Sequence, residues 1–174
     1  KYYFLIPSLL KNLKKNIKAS SGFDAISQSI ESVFSKKSTK QSIKFAKDSL
    51  KLSIANLADF VKKPNNQNSF NMSYAAMLSG KAINISRTIA PHAVSYPFSS
   101  LFGISHGHAV SLTLNEFLKF NLNNLKKANC DFDLMQRYKI IFDVFNVKTI
   151  NQLDEALIKI KSEINLTNDF KKLG

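Results

Sequence analysis

The three histidines of the chain, His92, His106 and His108, all fall within one short stretch. Imidazole is a good ligand for iron, zinc, copper and nickel, and two imidazoles need an anionic partner to make a divalent site. His92 directly follows Pro91, where a helix begins, and His106 lies beyond a turn at Gly103, in Ser105-His106-Gly107-His108. A loop folding back between them brings both rings to one point. The best carboxylate partner is Asp24. It stands four residues before Gln28, so the two share one face of a helix, and Glu31 and Ser35 continue near that face. Each residue alone has an ordinary structural use: an aspartate suits the first turn of a helix through the macrodipole, and a lone histidine is by default a hydrogen-bonded core residue. The chemistry rests on the combination.

Helices are the elements that must position this set. Ser38-Thr39-Lys40-Gln41 has the form of a capping box, with Ser38 as N-cap and Gln41 reaching back. Beyond it Ile43, Ala46, Leu50, Ile54, Leu57 and Val61 recur at helical spacing, until Pro64 with Asn65 and Asn66 ends the run. A second long helix is expected over about 69–87, with small residues at Ala75, Ala76, Ser79, Gly80 and Ala82 that let another backbone approach. An earlier helix covers about 22–34, and others are expected near 92–101, 107–121, 132–142 and 150–164. Pro91, Pro97, Gly103 and the Asn-rich segment 121–124 are the turn signals between them. No alternating strand pattern, repeat or low-complexity tract interrupts this all-α, bundle-like reading. No Gly-rich phosphate loop follows a strand, so the chain has no usual means of binding a dinucleotide.

A length of 174 residues fits one domain, or one half of a two-domain enzyme. With 44% hydrophobic and 21% charged residues, disorder and collagen-like structure are excluded. The net charge of +13 invites a nucleic-acid reading, but nearly all of it is lysine, which lacks the fork arginine uses on phosphate and bases. The lysines are scattered, as in Lys14-Lys15, Lys36-Lys37, Lys62-Lys63 and Lys126-Lys127, and read as a solvated surface. A single cysteine, Cys130, excludes an intrachain disulfide and suits a reducing, cytoplasmic setting. No apolar run approaches the roughly 20 residues that a membrane helix needs. The chain begins at Lys1 rather than Met and stops at Gly174, and both ends read as cuts through a longer protein.

The run Gly22-Phe23-Asp24-Ala25-Ile26-Ser27-Gln28-Ser29-Ile30-Glu31 resembles the iron-containing (group III) alcohol dehydrogenases. So do Pro91-His92-Ala93-Val94-Ser95-Tyr96-Pro97 and Phe102-Gly103-Ile104-Ser105-His106-Gly107-His108-Ala109. The resemblance implies an N-terminal nucleotide-binding domain followed by a helical domain whose metal is held by one Asp and three His. Asp24, His92 and His106 fall on three of those ligand positions, and the fourth falls on Gln28, where the family usually has His. Gln offers a neutral carbonyl oxygen, a weaker ligand. Tyr96 stands where many members carry another His near the substrate, and a tyrosine still donates a proton or hydrogen bond. The wording of Gly80-Lys81-Ala82-Ile83-Asn84-Ile85 and of Ala90–Pro97 is similar to the phosphonoacetaldehyde reductase branch. A phosphonate substrate needs cationic partners, and Lys81 and Arg87, just before His92, are the candidates.

The resemblance thus implies that residues 1–174 form a single helical domain, a fragment lacking its N-terminal nucleotide-binding domain. It would be the metal-binding half of an NAD(P)-dependent alcohol dehydrogenase or aldehyde reductase, acting on a small aldehyde or alcohol. A divalent metal, Fe2+ first and Zn2+ second, would polarise the carbonyl, and NAD(P)H bound through the missing domain would supply hydride. Tyr96 or His108 would relay the proton, a choice left open. The fragment alone is expected to be inactive, to associate as a homo-oligomer, and to involve neither membrane nor nucleic acid. The alternatives are a helical scaffold or oligomerisation domain whose metal site has decayed, and a polyol or phosphate-ester dehydrogenase of the same broad superfamily.

Overall fold

The computed structural model describes residues 4–173, and the terminal Lys1 and Gly174, read as cut points, lie outside them. The described residues form the helices α1 (Pro7–Lys11), α2 (Lys15–Phe34), α3 (Lys40–Lys62), α4 (Asn66–Ser86), α5 (Ala90–Phe102), α6 (His106–Asn123), α7 (Leu134–Phe145) and α8 (Ile150–Glu163). Two short 3-10 turns, Leu125–Lys127 and Phe170–Lys172, complete the order, and no strand occurs among the described residues. The architecture is all-α, as expected. No described helix is long and apolar enough to cross a membrane.

Helix α2 is the centre of the molecule. It packs against α3, α4 and α6, while α5 lies on α6, α7 on α3 and α8 on α6. Burial on several sides explains its composition. Phe23, Ile26, Ile30 and Val33 fill the core, and serines stand where neighbouring helices come close. Ser27 and Ser29 donate their hydroxyls back to the carbonyls of Phe23 and Ala25 at 3.1 and 2.7 Å, so they are buried without an unpaired proton. At Gly22 an added Cβ would lie 2.2 Å from Leu57 Cδ1, so glycine is what lets α3 settle onto α2. The core continues through Leu50, Leu57, Leu114, Ile141, Leu153 and Leu157. Tyr138 closes it, its ring 4.7 Å from that of Phe34 and its hydroxyl donating to the Leu118 carbonyl at 2.6 Å.

Several boundaries differ from the sequence expectation, for local reasons. Thr39, not Ser38, caps α3: its Oγ1 accepts from the Ser42 N–H, and the Ser42 hydroxyl oxygen accepts from the Thr39 N–H. A serine at the third helical position closes the box as Gln41 was expected to. Asn65 and Asn68 make the same reciprocal pair, which starts α4 at Asn66, earlier than the pattern of apolar residues suggested. Of the small residues on α4, Ala75, Ser79 and Ala82 face inward, whereas Ala76 is exposed and Gly80 meets nothing within 4 Å of a built Cβ. Pro97, although it reads as a turn signal, lies inside α5, which covers the expected helix near 92–101 and runs on to Gly103, a left-handed residue at φ 66°.

Candidate metal centre

Three helices converge on one point. From α2 come Asp24, Gln28 and Glu31, one or two turns apart and therefore on one face. Helix α5 supplies His92 in its first turn, and α6 supplies His106 as its first residue.

The approach of α5 is set by the hinge that precedes it. Arg87 follows α4 at φ 66° and ψ 170°, a backbone region that costs a residue with a side chain of order 1–3 kcal/mol. Hydrogen bonds from α2 hold it there. The Ser86 hydroxyl donates to Ser32 Oγ at 2.8 Å, and the Ser86 carbonyl accepts from the Ser35 hydroxyl. Two residues past Arg87, the Ile89 N–H donates to Glu31 Oε2 at 2.7 Å. The other oxygen of that carboxylate accepts from His92 Nδ1. Glu31, 1% exposed, therefore fixes both the start of α5 and the ring orientation of its histidine. With Nδ1 protonated against Glu31, Nε2 is the nitrogen aimed at Asp24.

Helix α6 is held close by Gly107. A Cβ there would fall 2.0 Å from the Ser20 carbonyl oxygen and 2.8 Å from Asp24 Cβ. The adjacent His108 N–H donates to Ser20 Oγ at 3.2 Å. This backbone contact delivers His106 to Asp24.

The resulting geometry is compact. Asp24 Oδ1 lies 3.3 Å from His92 Nε2 and 3.8 Å from His106 Nε2. One ligand atom from each of the three residues lies within 4.8 Å of the others. Asp24 Oδ1 and His92 Nε2 are buried and have no hydrogen-bond partner. With His92 neutral these two converging atoms are both acceptors and fit a cation between them, and one carboxylate with two imidazoles is a donor set suited to Fe2+ or Zn2+. Without a metal, a proton on His92 serves the same two atoms. Burial disfavours a charged His92, but the Asp24 and Glu31 carboxylates outweigh it and raise its pKa to about 9. His106, by contrast, has a side chain 42% exposed, so the cluster is open on that side.

Gln28 lies beside the cluster, donating Nε2–H to Asp24 Oδ2 at 2.7 Å and accepting from Ser79 Oγ at 3.0 Å. Tyr96, one turn beyond His92, is 61% exposed and stacks on His106 with ring centroids 6.0 Å apart. His108 is not brought to this group. Two residues along a helix turn it about 200° from His106, and its Nε2 donates to the Thr167 carbonyl at 2.8 Å. Lys81 and Arg87 are also not gathered at the cluster. Lys81 sits over the Phe45 ring, lining a cavity of about 980 Å3 to which none of the ligand positions belongs, and Arg87 is exposed at the hinge. Two residues escaped the sequence reading as partners: Glu31 of His92, and Ser79 of Gln28. The spacing Asp24–Gln28–Glu31 carried a signal for the first. Nothing local carried one for the second.

Residues 18–174 match the family described as Fe-containing alcohol dehydrogenase family, C-terminal. The chain belongs to this family, as its helical C-terminal domain. Over 119 residues it is 34% identical to a phosphonoacetaldehyde reductase of Streptomyces viridochromogenes, a match covering 67% of this chain and 30% of that protein. It is 28% identical over 173 residues to a 1,3-propanediol dehydrogenase of Klebsiella pneumoniae, covering 97% of this chain and 43% of the relative. Among solved structures, sulfoacetaldehyde reductase from Bifidobacterium kashiwanohense in complex with NAD+ superposes with a TM-score of 0.84 at 27% identity, covering 96% of this chain and 42% of that one. The chain thus spans less than half the length of each of these proteins.

Proposed function

We propose that this chain is the metal-binding catalytic half of an NAD(P)-dependent alcohol dehydrogenase or aldehyde reductase. Residues 1–174 act as one helical domain, and a nucleotide-binding domain completes the enzyme. The observation that carries the reading is the pair of buried, unpartnered atoms, Asp24 Oδ1 and His92 Nε2, with His106 Nε2 beside them. Asp24, His92 and His106 hold a divalent ion, Fe2+ in first place and Zn2+ in second. When bound, that ion supplies Lewis acidity to a carbonyl oxygen, and the nicotinamide carried by the other domain supplies hydride.

The residues of the chain do the rest. Asp24 provides the anionic ligand, and Glu31 keeps the Nε2 of His92 turned toward it. Exposed Tyr96, stacked on His106, is placed to give a proton to the forming alkoxide, whereas His108 is engaged with the Thr167 carbonyl. The open side at His106 admits the substrate. Phosphonoacetaldehyde and sulfoacetaldehyde, named for two of the relatives, are small aldehydes with an anionic end, and a substrate of that class is our reading here. Arg87 and Lys81, which precede His92 in the sequence, remain our candidate cationic groups, and an anionic end reaches them only if it extends away from the cluster.

One observation favours the alternative of a scaffold with a decayed site: Gln28 presents its NH2 group, a donor, to Asp24. Metal analysis separates the two. The purified chain exposed to Fe2+ or Zn2+ is expected to retain one ion per chain, and the His92→Ala/His106→Ala double variant none. A folded chain that retains no metal under either condition removes the reading that this half holds the ion by itself, and the same result with the nucleotide-binding domain attached removes the enzyme reading.

A further inference from the structure

The hydrogen bonds around Gln28 are arranged so that a half-turn of its amide would satisfy them equally well from the Ser79 side. Ser79 is 1% exposed and has one hydroxyl proton, yet two acceptors lie within reach: the Ala76 carbonyl at 2.9 Å and Gln28 Oε1 at 3.0 Å. One proton cannot serve both fully. With the amide turned over, one Nε2–H donates to Ser79 Oγ and the Ser79 hydroxyl donates to Ala76, so the two acceptors no longer compete for the Ser79 proton. The same turn moves Oε1 to the position now held by Nε2, 2.7 Å from Asp24 Oδ2. Two acceptors that close repel each other unless a cation lies beside them. The two amide orientations are nearly isosteric, so hydrogen bonding and charge decide between them.

We propose that Ser79 is a positioning residue for the metal centre, and that Gln28 and Ser79 form a two-state amide switch. Without metal, Gln28 donates to Asp24. With metal, its amide turns, Oε1 joins Asp24, His92 and His106 as a ligand, and Nε2 is received by Ser79. This inference rests on the metal-centre reading, and explains how a glutamine whose NH2 faces the cluster still serves it. Loss of the Ser79 hydroxyl bears mainly on the metal-bound state. There it strands a buried N–H, which is tolerated less well than the under-satisfied carbonyl it leaves in the metal-free state.

The test uses Co2+ as the probe and four forms of the full chain: unaltered, Ser79→Ala, Gln28→Leu and the double variant. Affinity is read by competition with a coloured chelator, and coordination by the visible spectrum of bound Co2+. The expected result is that Ser79→Ala weakens binding about tenfold in the unaltered chain and has no effect in the Gln28→Leu background, where the Co2+ spectrum reports one ligand fewer. Zn2+ titration followed by NMR should bring the Gln28 side-chain amide protons close to the Ser79 β-protons only in the loaded form. Equal losses in both backgrounds, no loss in either, or a Co2+ spectrum unchanged by Gln28→Leu overturns the switch while leaving the metal centre intact. A folded chain that takes up no Co2+ overturns the metal centre, and the switch with it.

Discussion

Glu31 shows how much of the proposed metal centre lies outside its candidate ligands. Its two oxygens are committed to the Ile89 N–H and to His92 Nδ1, so a single carboxylate ties a hinge to a ligand. In Glu31→Gln the amide can offer its oxygen to only one of them. Metal affinity should fall about 10–100-fold, measured by chelator competition, while helicity by circular dichroism stays close to that of the unaltered chain. A second buried charge, Lys161, lies in the interface of α8 with α6, donating to the Ser111 carbonyl at 3.1 Å and to Asn115 Oδ1 at 3.0 Å. Burial is the main cause that lowers its pKa, to about 8. Lys119 acts in the same direction, and Asp154 and Glu116 act against it. Between this value and the unfolded value of 10.5 the unfolded chain binds the extra proton, so folding is penalised below pH 8 and the penalty is relieved as pH rises toward 10.5. Compared with Lys161→Met, the unaltered chain should therefore gain stability between pH 8 and 10, by at most about 1.4 kcal/mol per pH unit. Urea unfolding of both proteins across that range checks the sign.

At the level of the helices, the site depends on close approach more than on side-chain reach. Gly107→Ala would place a methyl group against the Ser20 carbonyl and push the start of α6 away from α2, carrying His106 from Asp24. A stability loss of about 3 kcal/mol is expected, together with weaker metal binding; a variant with both properties unchanged would contradict the packing argument. The helices themselves were largely legible in the sequence, because apolar periodicity and the Pro and Gly signals mark them. What was not legible came from competition between nearby groups of equal merit. Ser38 and Thr39 both suit a cap, and the hydroxyl of Ser42 decided for Thr39. Pro97 reads both as a turn signal and as part of a helix over 92–101, and the helix wins. The grouping of Asp24, His92 and His106 could be anticipated from residue type and resemblance. The engagement of His108 with Thr167 and of Gln28 with Ser79 could not, since each links segments more than fifty residues apart.

Across the whole molecule, the distribution of apolar surface is uneven. Val94, Tyr96, Leu101 and Phe102 are all exposed on α5, the helix that bears His92. The relatives are more than twice as long as the segment matched here, and the NAD+ complex among them belongs to such a longer chain. The helical half has no Gly-rich phosphate loop of its own. Accordingly, the isolated chain should show no oxidation of NAD(P)H with a small aldehyde, even when loaded with Fe2+ or Zn2+. Measurable turnover by the chain alone would contradict the division of labour proposed above.

The placement of the polar groups on α2 has a consequence for how the site opens and closes. Asp24, Gln28 and Glu31 belong to the most deeply enclosed helix, whose backbone amides can exchange with solvent deuterium only when the core itself comes apart. His92 and His106 stand at the starts of α5 and α6; α6 is packed on α2, whereas α5 packs chiefly on α6 and carries much of its surface outside. Fraying of α5 therefore frees His92, a candidate ligand, while Asp24 stays in place. Metal entry and departure should proceed at the rate of that local opening, many orders of magnitude faster than global unfolding, and deuterium uptake should be rapid at 90–102 and slowest at 23–31.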